Sequence, residues 1–207
     1  MEELIDLIVI EPAADADEKV RFKHSNLACE LLTSDLDLIN DALLEPKLLN
    51  KLYSFIETEN QLNPLLASFF SKTMSLLSIK RTGPVFKFLQ TKDNFVQSVL
   101  YHIQTSAIMD FLLKLVTVED IDLRSEIVKV RGLCYLIVVL MRLSDSQWLS
   151  GKELVPQLIA MFSKETQKEK QVNAAQFLCD IVKVVREQQS LLQEKALPNQ
   201  LLEEIES

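Results

Sequence analysis

An all-α fold, a HEAT/armadillo-like superhelix of stacked helix pairs, is what this sequence predicts. Three observations carry the prediction. Apolar residues fill 48% of the 207 positions, while glycine supplies only 3 and proline 6. Few breakers therefore interrupt the long Leu-, Ile- and Val-rich runs, whose spacing is helical. Four stretches, opening at Ser25, Asn63, Thr105 and Val172, share one build: a polar cap, then an apolar helix with a narrow polar stripe. Aligned on Asn26, Pro64 and Ser106, the first three lie 38 and 42 residues apart. That is close to the period of HEAT or armadillo repeats, roughly 40–47 residues. The fourth, aligned on Ala174, follows 68 residues later, too far for one repeat and too near for two.

The elements follow in order. Glu2–Ile10 reads as a short amphipathic helix, ended by Glu11-Pro12, with an acidic loop over Ala13–Lys19. Ser25–Thr33 is the next helix. Ser34-Asp-Leu-Asp37 has capping-box spacing and predicts a short helix to Leu43. Lys47–Thr58 places Leu48, Leu49, Leu52, Phe55 and Ile56 on one face. The central helix starts where Asn63 can cap and Pro64 occupies a first-turn site that needs no N–H. Leu66, Phe69, Phe70, Thr73 and Leu77 form its apolar face; Ser68, Ser71, Lys72 and Ser75 form a polar stripe. Gly83-Pro84 interrupts the pattern before short helices over Val85–Leu89 and Asp93–His102. Thr105–Thr117 is so apolar that it reads as an inner helix, with Asp110 and Lys114 as an i,i+4 pair. Capping boxes at Ser150 and Thr166 start helices over Leu154–Phe162 and Lys170–Gln188, and Gln200–Glu206 is the last. In Lys170–Gln188 the core side is Ala174, Ala175, Leu178, Ile181, Val182 and Val185.

Charge and residue usage exclude several functions. A net charge of −8 and a pI near 4.9 repel phosphate backbones, so no nucleic-acid partner is expected. Lys80-Arg81 reads as a solvated helix end. Cys29, Cys134 and Cys179 are odd in number and sit in apolar helical contexts. They read as buried free thiols of a reducing compartment. The acidic start Met1-Glu2-Glu3 is unlike a secretory signal. Leu133–Met141, nine residues, is the longest apolar run and falls short of the ~20 that a membrane span needs. His24 and His102 have no partner at metal-ligand spacing, three glycines build no phosphate loop, and no acid–base or nucleophile constellation stands out. No cofactor is implied.

Several strings carry a more specific signal. Cys29-Glu-Leu-Leu-Thr-Ser-Asp35, Lys51-Leu-Tyr-Ser-Phe55, Leu62-Asn-Pro-Leu-Leu-Ala-Ser-Phe-Phe-Ser-Lys72, Thr105-Ser-Ala-Ile-Met-Asp110 and Asn173-Ala-Ala-Gln-Phe-Leu-Cys-Asp-Ile-Val182 closely resemble the SAPS-domain family. Its members are regulatory subunits of serine/threonine protein phosphatase 6. Order and spacing agree over residues 4–130 and 144–207. The resemblance implies a helical scaffold without catalytic activity. It implies binding to the protein phosphatase 6 catalytic subunit, with ankyrin-repeat subunits beside it, in the cytoplasm and also the nucleus. By the same resemblance, residues 1–207 are a partial domain, cut at both ends. A non-family insert lies near 129–143, apolar on every side from Leu133 to Met141. The insert is either translated intron sequence or a real extra helix.

Repeat scaffolds bind with the polar faces of inner helices. The candidate partner contacts are therefore Asn63, Lys72, Asp110, Asn173, Gln176 and Asp180. The plain alternative for each is an ordinary cap or a solvated side chain. Two other readings of the chain are an enzyme with an unrecognised site and a truncated helical adaptor that no longer binds phosphatase.

Overall fold

The computed structural model describes residues 1–12, 21–117, 154–183 and 186. Every regular element among them is helical, so the chain is all-α. The elements are α1 (Glu2–Val9), α2 (Lys23–Leu32), α3 (Asp37–Leu43), α4 (Pro46–Tyr53), a 3-10 turn (Ser54–Ile56), α5 (Pro64–Lys80), α6 (Thr82–Gln90), α7 (Phe95–Tyr101), α8 (Ser106–Thr117) and α9 (Leu154–Ala160). Residues 168–183 form a further helix, α10. The expected acidic loop, the Ser150 capping box, the 129–143 insert, Cys134, Val185 and the helix over Gln200–Glu206 lie outside the described residues.

The central helix forms as its sequence dictates. Asn63 Oδ1 accepts from the Leu65 and Leu66 amides at 3.0 and 3.3 Å, and Pro64 opens the helix. With no N–H on Pro64, this satisfies two of the three amides that the helix start leaves open. α8 makes the most extensive contact with α5, and α1, α2 and α6 also pack on it. Phe70 is fully buried between Phe55 and Phe111, with ring centroids 5.3 and 5.5 Å away. A second aromatic group joins α4, α6 and α7. There Tyr53 meets Phe88 edge-on at 5.7 Å and Phe95 at 6.4 Å, under the Lys92 ammonium 4.7 Å from the Tyr53 ring.

The expected polar stripe of α5 is corrected. Ser71, Ser75 and Ser78 are all buried, and so is Thr73. Only Lys72, Ile79 and Lys80 of its second half stay exposed. The reason is the number of helices around α5: small hydroxyl residues let neighbours approach on the side that reads as polar. Ser78 donates back to the Met74 carbonyl at 2.7 Å, which meets its hydrogen-bonding need inside the helix.

Several boundaries also change for local reasons. Ser34 does not cap α3. Its hydroxyl donates to the Leu31 carbonyl at 2.8 Å, closing the end of α2, and Leu36 precedes α3 without a side-chain cap. Asp35 between them has φ of 58°, a left-handed turn that Asp tolerates better than most residues. Thr166 likewise bonds the Ser163 hydroxyl at 3.1 Å, and α10 begins at 168. Gly83 and Pro84 do not break the chain but lie in the first turn of α6, where proline's missing N–H goes unused. The helix expected over Lys47–Thr58 ends at Tyr53 and tightens into the 3-10 turn.

Ion pairs fasten the ends of elements. Lys51 reaches Asp6 at 2.6 Å and Glu2 at 3.3 Å, and Lys47 reaches Glu2 at 2.8 Å, holding α1 to α4. Lys80-Arg81 is not the solvated end expected. Lys80 meets Asp35 at 2.6 Å, and Arg81 grips Asp37 and Asp41 at 2.8 and 2.7 Å. Sequence separation of more than 39 residues hides such pairs from any local reading.

Candidate functional site

The six candidate contacts are distributed over three helices and their edges. Asn63 is engaged twice within the chain: it caps α5, and its Nδ2 donates to Glu11 at 3.1 Å. Glu11 also holds Arg21 at 2.9 Å. Lys72 on α5 and Asp110 on α8 are exposed. Asn173 is half-buried, and its Nδ2 donates to the Ile103 and Gln104 carbonyls at 2.9 and 3.0 Å. It thus ties α10 to the turn between α7 and α8, across some 70 residues of sequence. Gln176 and Asp180 stand one turn apart on α10 and bond each other. Two bonds from Gln176, and then Lys183 at 2.9 Å, hold the Asp180 carboxyl below the usual carboxylate range.

The face that α10 buries is led by Ala174, Phe177 and Ile181. Ala175, Leu178 and Val182, expected in the core, are half-buried. Phe177 was not among the expected core residues, although it lies three residues from Ala174 and four from Ile181, within one helical stripe. Cys179, two residues beyond Phe177, faces out and is exposed, which corrects its reading as a buried thiol. Cys29 is buried, and that burial pushes its thiol pKa up, the condition of an inert rather than a nucleophilic cysteine.

Sequence reading missed a polar cleft of about 560 Å³. Glu59 and Gln61 line it from the loop before α5, Tyr101 from the end of α7, Gln104 from the turn after it, and Lys168 and Lys170 from the start of α10. The segments are brought together by tertiary contacts: Tyr101 Oη donates to the Glu59 carbonyl at 2.8 Å, and the Lys170 ammonium sits 4.5 Å from the Tyr101 ring. No local pattern marks a cleft whose walls come from three distant segments.

His102 lies beside it, fully buried. Its Nε2 stands 2.7 Å from the Thr58 carbonyl. A carbonyl can only accept, so Nε2 carries the proton and Nδ1 is left as an acceptor without a partner. Burial lowers the His102 pKa, and Lys170 nearby acts in the same direction. The folded chain therefore binds this proton less readily than the unfolded chain, whose imidazole titrates near 6.5. The associated stability is complete above that pH and declines as pH falls below it. Urea midpoints measured between about pH 7 and about pH 5 should drop for the parent chain and less steeply for His102→Gln. Equal slopes would remove His102 from the acid response.

Among the described residues, no group of three or more His, Cys, Asp or Glu side chains could hold a metal ion. No described helix is long and apolar enough to cross a membrane. The arrangement offers exposed charge on α5, α8 and α10 and a polar cleft.

Comparisons with known proteins agree on one family. The family model described as SIT4 phosphatase-associated protein, SAPS, matches residues 74–207. Serine/threonine-protein phosphatase 6 regulatory subunit 2 of Mus musculus is 44% identical over 209 residues, covering 100% of this chain and 21% of the relative. Regulatory subunit 3 of Gallus gallus is 39% identical over 208 residues, 100% of this chain and 22% of the relative. Extragenic suppressor of kinetochore protein 1 of Schizosaccharomyces pombe is 42% identical over 111 residues, 52% of this chain and 13% of the relative. This chain spans about a fifth of the length of the phosphatase regulatory subunits it matches. No solved structure matches. With a family model covering well over half of its length and relatives aligned along all of it, the chain belongs to the SAPS family.

Proposed function

We propose that this chain is part of a non-catalytic scaffold that binds the catalytic subunit of protein phosphatase 6 and modulates its activity or targeting. The observation that carries the reading is alignment of the whole of this chain with about a fifth of proteins named as regulatory subunits of that phosphatase. The absence of a recognisable acid–base or nucleophile constellation in the sequence supports a binding rather than a catalytic role. In this reading the helices continue a HEAT/armadillo-like array, ankyrin-repeat subunits bind beside the phosphatase, and the complex works in the cytoplasm and the nucleus. Residues 1–207 are then one partial domain, with 129–143 a non-family insert.

The candidate contacts separate by what they already do. Asn63 spends its side-chain amide on the backbone of α5 and on Glu11, and Asn173 spends its Nδ2 on backbone carbonyls. Lys72, Asp110, Gln176 and Asp180 are the ones with charge or amide groups toward solvent or toward one another. A pull-down of purified phosphatase catalytic subunit on this chain tests the reading. Retention is expected, from the parent chain and from one lacking 129–143. Lys72→Glu combined with Asp180→Lys should lower it without changing the circular dichroism spectrum. Unchanged retention in the double variant would return both side chains to simple solvation. No retention by the parent chain would favour a truncated adaptor that no longer binds phosphatase.

A further inference from the structure

We propose that Ser34 is a phosphorylation site for an acidic-directed Ser/Thr kinase, and that phosphate there loosens α3 from the end of α5. The proposal starts from a motif whose expected structural role the fold refuses. Ser34-Asp-Leu-Asp37 has capping-box spacing, yet Ser34 caps nothing in α3; its exposed hydroxyl donates only backwards, to Leu31. What remains is a surface serine followed by carboxylates one and three residues on. Both stay accessible, with Asp35 and Asp37 side chains 49% and 86% exposed. A kinase with a basic substrate groove reads carboxylates at those two places. Ser54, Thr117, Ser150 and Thr166 also have an acidic residue three positions on, but only Ser34 has one directly after it as well.

The transfer balances with magnesium–ATP as co-reactant. The Ser34 Oγ–phosphorus bond forms as the bond from the γ-phosphorus to ADP breaks, and the hydroxyl proton passes to the kinase's base. The consequence follows from the charges already present. Asp35, Asp37 and Asp41 face Lys80 and Arg81, three carboxylates against two cations. A phosphate adds about −1.5 to −2 to a cluster already short of positive charge. It also sits at the carboxyl end of α2, the negative pole of that helix, and removes the hydroxyl hydrogen that holds the Leu31 carbonyl. Lys80 and Arg81 are drawn toward the phosphate, and α3 loses its grip on them.

The test uses the purified chain, an acidic-directed Ser/Thr kinase and magnesium–ATP. Intact mass should rise by one phosphoryl group, mapped by peptide sequencing to Ser34. Ser34→Ala should abolish that incorporation, and Asp35→Asn with Asp37→Asn should suppress it. Asp41→Asn, which weakens the same Arg81 grip from outside the recognition positions, should leave it intact. Hydrogen exchange of the amides of residues 37–43 should be faster in the phosphorylated chain. No incorporation into the parent chain, or equal incorporation into Ser34→Ala, overturns the site. Exchange unchanged or slower overturns the loosening.

Discussion

Phe70→Ala is expected to lower the unfolding free energy by about 3–5 kcal/mol, the cost of truncating a buried aromatic side chain. Phe70 is fully buried at the middle of α5, the helix on which α1, α2, α6 and α8 converge. Its ring bridges Phe55, just after α4, and Phe111 on α8. Truncation therefore removes two aromatic contacts and opens a cavity that three separate segments would have to close together. Interiors packed at crystal density relax only partly into such a void. Equilibrium urea denaturation, followed by helical circular dichroism, measures the effect. A loss below about 1 kcal/mol would mean that this helix is not the element holding the fold.

How much of this was legible in the sequence depends on the range of the interaction. The start of α5 was, because a cap and a first-turn proline act within four residues: Asn63 bonds Leu65 and Leu66 as its position predicts. The apolar face that begins in α4 was legible for the same reason, since helical spacing alone sets which side chains share a face. Side chains that bond over long separations were not. Arg81 finds Asp37 and Asp41, and Asn173 finds the backbone at Ile103 and Gln104. Nothing in the flanking residues distinguishes these from solvated polar groups. The same limit hid the cleft beside His102, and it hid the bonds by which Asn173 holds α10 in place. Ser34 shows a different limit. Its four-residue pattern predicts an oxygen that accepts from an amide of α3, but the hydroxyl instead donates its proton one turn back, to the Leu31 carbonyl.

The serines of α5 are the clearest case of residue type misleading about burial, and one position turns that into a measurement. Ser75 is buried, and its hydroxyl has no hydrogen-bond partner. Ser75→Ala removes a polar group that gave up water for nothing, so the variant should be more stable by about 1 kcal/mol, a little less than the lower range for an unsatisfied buried group plus the helix preference for alanine. Ser75→Leu fits the helix almost as well by intrinsic preference but adds three carbons where neighbours already close the space. Overpacking of that kind destabilises by about 1–3 kcal/mol. A solvated stripe would give a different pattern. On an exposed face both alanine and leucine would raise stability by a few tenths of a kcal/mol, through helix preference alone. The sign of the leucine variant therefore decides between the two environments. Urea midpoints that rise for Ser75→Ala and fall for Ser75→Leu place the serine side of α5 inside the fold. Midpoints that rise for both would put that side in water, and α5 would then be covered on one face only.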